Sequence, residues 1–154
     1  MIRSDHPMPV DCGGVEDAVL SVLQMEEADT AEVSVLLTED AVVRDLNARY
    51  RGKDAPTDVL SFSQRESVAD APEAPDVADT HDLLGDVVIS VDTAVRQAAA
   101  RNVSLDAELR ELAAHGTLHL LGYDDSTPEG AENMIRRAQA ALGGTYPRLH
   151  AHEE

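Results

Sequence analysis

The sequence predicts an α+β fold in which one small mixed β-sheet packs with helices around a central helix. Three observations lead to this class. Apolar residues recur at helical spacing in several segments, short β-branched runs lie between these segments, and no segment repeats another. At 154 residues the chain fits a single domain, residues 1–154, which is long enough to bury a hydrophobic core.

The first half of the chain predicts a helix, a strand, a second helix and a second strand. Apolar residues at helical spacing indicate an amphipathic helix over about residues 14–28, and the run AEVSVLLTED indicates a strand. The segment EDAVVRDLNARYR again has helical spacing. We expect the Thr38 hydroxyl to cap its first turn and Gly52 to follow its last turn. The next segment, TDVLSFS, predicts a short strand.

The second half predicts one more strand and three helices. LLGDVVIS indicates the strand, and a helix is expected to run from Ser90 until Asn102 interrupts it. A longer helix begins near Ser104. The last helix begins with Thr127 as its cap and Pro128 at its first position, where the missing N–H costs nothing.

Two stretches are expected to lack regular structure. Residues 64–82 are rich in Ala, Pro and acidic residues without periodicity, which predicts an exposed acidic loop. This loop is not a domain boundary, because the strands on either side need each other to bury their faces. Residues 146–154 are expected to form a loose tail.

The longer helix of the second half is expected to be the centre of the core. Its apolar side, which we expect to lie against the sheet, consists of Leu105, Leu109, Leu112, Gly116 and Leu120. Gly122 is placed to end this helix, because glycine readily adopts the left-handed conformation that closes a helix.

The charge and the cysteine count limit the function classes. The formal net charge of -18 argues against non-specific binding to a nucleic-acid backbone, which depends on basic side chains. The single cysteine, Cys12, excludes an internal disulfide and a four-thiolate zinc site, so a metal would be held by imidazole and carboxylate groups. No segment predicts a signal peptide or a membrane span, so we expect a soluble cytoplasmic protein without a membrane partner.

The segment HGTLHLLGYDD predicts a metal site. His115 and His119 are four residues apart on a helix, so both can turn a ring nitrogen towards one ion. Gly122 lets the chain leave the helix and fold back, which brings Asp125 within reach as a third ligand. Three protein ligands leave the fourth position of a zinc ion open, as catalysis requires. This is a zincin-like layout on a central metal-bearing helix.

Each member of this group has a structural alternative. Two histidines at this spacing can be core side chains without a metal, and Asp124 and Asp125 stand where a turn would use aspartate anyway. His81, in the acidic loop, is a rival third ligand that is distant along the chain. Zinc peptidases with this layout carry glutamate after the first histidine as the general base, and this chain has Gly116 there, which disfavours a peptidase.

Three blocks of the sequence resemble the YbeY family of bacterial endoribonucleases, which are also called rRNA maturation factors. They are LNARYRGKDAPTDVLSF at residues 46–62, LLGDVVIS at residues 83–90 and HGTLHLLGYDD at residues 115–125. Their order and spacing make a chance match very improbable. The third block of the family usually ends in a histidine, whereas this chain has Asp125, an oxygen ligand that zinc also accepts.

The resemblance implies a function and a role for one arginine. The family implies a zinc-dependent, single-strand-specific endoribonuclease that matures the 3′ end of 16S rRNA and takes part in ribosome quality control, with one Zn²⁺ per chain. It also implies contacts with the small ribosomal subunit and an assembly GTPase. The arginine that matches Arg51 is essential in the family, and its planar fork suits the scissile phosphate. Asp58 and Asp86 are expected to be structural, with Asp86 a possible partner of a ligand histidine.

Two other functions stay open from the sequence. One is a metal-dependent hydrolase of peptide or ester bonds, which the histidine pair allows and Gly116 disfavours. The other is a non-catalytic ribosome-assembly factor with a structural metal, which the acidic charge favours because ribosomal proteins are basic.

Overall fold

The computed structural model describes residues 2–28, 30–63 and 82–143. Along the chain its elements are β1 (Ile2–Ser4), α1 (Cys12–Met25), β2 (Ala31–Thr38), α2 (Asp40–Arg51), β3 (Val59–Ser63), β4 (Asp82–Ser90), α3 (Val91–Arg101), α4 (Leu105–Leu120) and α5 (Pro128–Ala141). The eight predicted elements are confirmed in order. Asp82, which we assigned to the acidic loop, begins β4; the rest of that loop and the tail from residue 146 lie outside the described residues.

The four strands form one mixed sheet with the order β1-β2-β4-β3. β1 pairs with β2 and β2 with β4 in parallel, whereas β3 pairs with β4 in antiparallel orientation. The prediction of an α+β fold with one small mixed sheet is therefore confirmed. The strand β1 was not predicted, because its three residues are too few to show an alternating pattern. The antiparallel strand β3 lies at one edge of the sheet, and the functional cleft described below lies beside it.

The cap predicted for α2 is wrong. Thr38 is the last residue of β2 and pairs with Ser90, so its backbone belongs to the sheet. Glu39 is the N-cap, and its side chain makes no capping hydrogen bond. Instead the amide of Asp40 donates to Oδ2 of Asp92 at 2.9 Å, so a carboxylate from α3 satisfies this first-turn donor. Such a distant partner is not visible in a local sequence pattern.

The other helix boundaries agree with the sequence. Side-chain oxygens of Ser90, Ser104 and Thr127 each accept a hydrogen bond from an amide in the first turn of the helix that follows. Asn102 ends α3 in the left-handed conformation, with a φ of 62°. These capping residues fix where α4 and α5 begin, and with them the position of the segment that joins the two helices.

The helix α4 is the centre of the fold. It packs against α1, α3 and α5 and against the strands β3 and β4. We expected one apolar side, but the structure buries the helix on nearly all sides, since Ala113, Ala114 and Leu118 are fully buried as well. A helix that is surrounded in this way has little freedom to move. None of the described helices is long and apolar enough to cross a membrane.

Two acidic residues of α4 are also buried, which the sequence did not indicate. Glu108 and Glu111 lie against Arg101 of α3, whose Nη1 donates to Oε1 of Glu108 at 2.9 Å and to Oε1 of Glu111 at 3.4 Å. One cation thus faces two carboxyls. Burial raises the pKa of Glu111 to about 7 against the opposing effect of Arg101, and the charge of Glu108 adds to the increase.

This carboxyl predicts a pH dependence of stability. The folded chain holds the Glu111 proton more tightly than the unfolded chain, so this group lowers the free energy of unfolding as pH rises from 4.5 to about 7. Glu111→Gln should be more stable than the wild type by no more than about 1 kcal/mol at pH 5 and by roughly 3 kcal/mol at pH 8. Urea titration at both pH values measures this, with exposed Glu16→Gln as the control. An equal difference at the two pH values would contradict the assignment.

Candidate active site

The histidine pair lies in the last two turns of α4, as predicted. The ring centroids of His115 and His119 are 4.8 Å apart. The side chain of His115 is 4% exposed and that of His119 is 30% exposed, so the pair leads from the core to the surface. The same helix that forms the core therefore holds both rings in place.

A tight reversal after α4 brings Asp125 back to the histidines. Gly122 has a φ of +105°, and the amide of Tyr123 donates to the carbonyl of Leu118 at 3.1 Å, which closes the helix end. Oδ2 of Asp125 then lies 3.4 Å from Nε2 of His115 and 3.5 Å from Nε2 of His119. The predicted role of Gly122 is thus confirmed, and all three predicted ligands meet.

The three side chains fit a small divalent cation. One ligand atom from each of His115, His119 and Asp125 lies within 4.8 Å of the others. At zinc–ligand distances near 2.0–2.1 Å, two ligands of a tetrahedral ion are about 3.3 Å apart. The separations between Asp125 and the two histidines, 3.4 and 3.5 Å, come close to this value. Two imidazoles and one carboxylate are also a donor set that zinc accepts.

The two neighbouring aspartates have different roles. Oδ1 of Asp124 accepts from the amide of Ser126 at 3.0 Å, and its Oδ2 accepts from the Ser126 hydroxyl at 2.9 Å. Asp124 is therefore the turn residue, which leaves Asp125 to face the histidines. This geometry resolves the alternatives that the sequence left open for this pair. The rival ligand His81 lies outside the described residues.

A cleft of about 720 Å³ opens beside the three ligands. Its walls come from the end of α2, the segment that follows it, the edge strand β3 and the end of α4. The lining residues are Asn47, Arg51, Lys53, Ala55, Pro56, Thr57, Val59, Leu60, Ser61, Ser63, His115, His119, Leu120 and Asp125. Arg51 and the candidate metal ligands thus border the same space, as the sequence predicted only through a family resemblance.

The charge of the cleft differs from that of the whole chain. The sequence has 30 acidic residues against 12 lysines and arginines. Among the described residues that line the cleft, Asp125 is the only carboxylate, whereas Arg51 and Lys53 are both cationic. Lys53 is also the only lysine in the chain. The cleft is therefore a local exception that suits an anionic ligand.

Arg51 is held at the wall of the cleft. It is the last residue of α2, and its Nη2 donates a hydrogen bond to the carbonyl oxygen of Ser61 on β3. The guanidinium carbon lies 4.9 Å from the centre of the Phe62 ring, which adds a cation–π contact. Gly52, in the left-handed conformation with a φ of 74°, ends α2 directly after it. These contacts place the guanidinium before any ligand arrives.

Gly116 allows α4 to lie very close to the sheet. A Cβ atom at this position would come within 2.7 Å of Cγ1 of Val87, and the Ser61 hydroxyl donates to the Gly116 carbonyl at 3.1 Å. A glutamate would overlap the Val87 side chain and crowd the Ser61 hydroxyl, so the general base of the zinc peptidases does not fit here unless these side chains shift. This observation adds a steric reason to the sequence argument against a peptidase.

A methyl group at Gly116 should therefore destabilise the fold. The overlap with Val87 costs about 1–3 kcal/mol, which outweighs the gain of up to about 1 kcal/mol from the higher helix propensity of alanine. We expect Gly116→Ala to lower the melting temperature. The matched control is Gly13→Ala in α1, where the nearest atom to an added Cβ is 3.5 Å away, and this variant should be neutral or more stable. A stabilised Gly116→Ala would contradict the packing described here.

Asp58 is structural, as predicted, and Asp86 does not support a ligand histidine. Asp58 is buried, accepts from Nε2 of Gln97 at 3.3 Å and thereby connects the start of β3 to α3. Val87 contacts Gly116 on the α4 side of the sheet, so alternation along β4 turns Asp86 to the opposite side, where it is exposed. The suggestion that Asp86 orients a histidine is therefore wrong.

Known proteins share most of the length of this sequence. The family model described as "Endoribonuclease YbeY" matches residues 10–145. The chain belongs to the YbeY family. Endoribonuclease YbeY of Moorella thermoacetica is 46% identical over 92% of this chain and 92% of its own length. Endoribonuclease YbeY of Desulfitobacterium hafniense is 44% identical over 84% of this chain and 82% of its own length.

A solved structure extends the YbeY comparison to the fold. The solution structure of a protein from Thermotoga maritima superposes with a TM-score of 0.56 at 25% identity and covers 94% of this chain and 91% of that chain. The α+β class is therefore shown by the comparison as well as by the elements described above. The narrower label "zincin-like" stays a prediction.

Sequence reasoning missed the residues that support the site. Ser61 contributes a carbonyl to Arg51 and a hydroxyl to Gly116, and Glu26 binds Tyr123 beside the reversal. For Ser61 its place inside a shared YbeY block was an available signal. For Glu26 the sequence carried none, because its partner lies 97 residues further along the chain.

Proposed function

We propose that this YbeY protein is a zinc-dependent endoribonuclease that cleaves single-stranded RNA. The observation that carries the proposal is that Arg51 and Lys53 line the same cleft as His115, His119 and Asp125 in a protein that is otherwise strongly acidic. A phosphodiester needs positive charge around its oxygens and little covalent help from the protein. The names of the relatives support the same activity.

The residues of the cleft have distinct parts in this reaction. Arg51 binds the scissile phosphate with its planar fork and stabilises the charge that develops on the phosphoryl oxygens. Lys53 contacts a neighbouring phosphate as a point charge. His115, His119 and Asp125 hold the ion. Lewis acidity towards a phosphoryl oxygen or a water molecule is the chemistry that zinc supplies when it is bound there.

We further propose the 3′ end of precursor 16S rRNA as the substrate, cleaved in the cytoplasm during ribosome maturation and quality control. The small ribosomal subunit and an assembly GTPase are the proposed partners. Family membership supports these assignments. The acidic surface outside the cleft suits contacts with basic ribosomal proteins, whereas the cations of the cleft suit RNA.

Cleavage of defined oligonucleotides tests the proposed activity. A labelled single-stranded RNA should be cut by the zinc-loaded protein, and the same strand should be protected when it is annealed to its complement. A single-stranded DNA of the same sequence and a casein substrate serve as the controls for other bonds. Cleavage of casein without cleavage of RNA would overturn the proposal in favour of a peptide hydrolase.

A further inference from the structure

A hydrogen-bonded network lies directly behind the reversal that carries Asp125. The Tyr123 hydroxyl donates to Oε1 of Glu26 at 2.7 Å, and Nη1 of Arg137 donates to Oε2 of the same carboxylate at 2.7 Å. The guanidinium carbon of Arg137 also lies 5.2 Å from the centre of the Tyr123 ring. Each of the three side chains therefore contacts the other two.

The three members come from three separate parts of the chain. Glu26 is the C-cap residue of α1, Tyr123 lies in the reversal after α4, and Arg137 lies in α5. The Glu26 side chain is only 13% exposed, so its bonds to Tyr123 and Arg137 are shielded from competing water. This network joins α1 and α5 to the residue two positions before Asp125.

The other side of the reversal is held by α5. A Cβ atom at Gly130, in the first turn of α5, would come within 2.1 Å of the carbonyl oxygen of Asp124. The backbone of α5 therefore lies directly against the reversal, and no larger residue fits at this position without a shift. The segment between Gly122 and Thr127 is thus fixed at Tyr123 on one side and at Asp124 on the other.

We infer that Tyr123, Glu26 and Arg137 are positioning residues that hold Asp125 against the two histidines of α4. His115 and His119 are oriented by the helix that carries them, whereas Asp125 lies outside every helix and strand. An aspartate has a short side chain, so the position of its backbone determines where its oxygens lie. Residues that orient ligands typically change metal affinity by about 10–100-fold when they are altered. The inference rests on the proposed metal site and does not depend on RNA cleavage.

Zinc affinity measured by competition with a chromophoric chelator tests this role. We expect Tyr123→Phe to bind zinc at least about 10-fold more weakly than the wild type, because the bond to Glu26 is lost and the reversal loosens. Tyr50→Phe is the matched control, since it removes the same hydroxyl from an exposed tyrosine and should leave the affinity unchanged. The absorption spectrum of the Co²⁺-loaded variants reports on the ligand geometry independently of folding.

A double-mutant cycle separates positioning from a general loss of stability. If Tyr123 acts through Asp125, then Tyr123→Phe should have little further effect on zinc affinity in an Asp125→Asn background. Affinity that is unchanged in the single variant, or reduced equally in both backgrounds, would overturn the inference. A wild type that binds no zinc would overturn it together with the metal site. A wild type that binds zinc and leaves RNA intact would instead overturn only the proposed nuclease.

Discussion

An Arg51→Ala variant is expected to keep its metal and to lose roughly 10²–10³-fold in the rate of RNA cleavage. The guanidinium borders the cleft, is held by Ser61 and Phe62, and is one of two cations among the described residues that line the cleft. Its removal takes away charge stabilisation without touching His115 or His119. Single-turnover cleavage of a labelled single-stranded RNA measures the effect.

The matched control for this variant is Arg49→Ala. Arg49 lies in the same last turn of α2, is similarly charged and exposed, and pairs with Asp45 at 3.0 Å instead of lining the cleft. The Arg49→Ala protein should cleave RNA at close to the wild-type rate. An Arg51→Ala protein that still cleaves normally would contradict the assigned role of Arg51, and one that still restores rRNA processing in cells would favour a non-catalytic ribosome-assembly factor.

Replacement of Asp125 by alanine should weaken zinc binding by more than about 100-fold, since a lost ligand costs more than a lost supporting contact. The rate of RNA cleavage at limiting zinc should fall together with the zinc affinity. Asp125 is the candidate ligand that stands where the YbeY motif usually has a histidine, and its Oδ2 lies 3.4 Å from Nε2 of His115. Isothermal titration of zinc into metal-free protein measures the change.

The neighbouring aspartate gives the control. Asp124→Ala removes the turn bonds to Ser126 but leaves the ligands, so it should bind zinc much more tightly than Asp125→Ala. Asp125→His restores the usual family ligand and should bind zinc at least as tightly as the wild type. If Asp125→Ala bound zinc as the wild type does, Asp125 would not be a ligand.

The sequence predicted the elements and the convergence of His115, His119 and Asp125 because both follow from local spacing. A spacing of four positions on a helix brings His115 and His119 together, and a glycine after the helix lets the chain turn back so that Asp125 reaches them. It could not predict the capping contact of Asp92 with Asp40, which joins residues 52 positions apart. Contacts of this kind depend on how the helices pack.

The buried acids show the same limit. Glu108 and Glu111 lie outside the one apolar side that the helical spacing indicated, so the sequence contained no sign that they are buried. The position of Arg101 on the neighbouring helix helps to explain how both carboxyls can be buried. Similarly, family resemblance pointed to Arg51, while its fixed orientation comes from a backbone carbonyl on another strand.

Titration of zinc into metal-free protein, with RNA cleavage followed at each step, is the most direct test. Cleavage of single-stranded RNA should be absent without metal, should rise in proportion to the bound zinc and should reach its maximum at about one ion per chain, as expected for one site with three protein ligands. Equal cleavage by protein that elemental analysis shows to be free of metal would contradict a zinc-dependent nuclease.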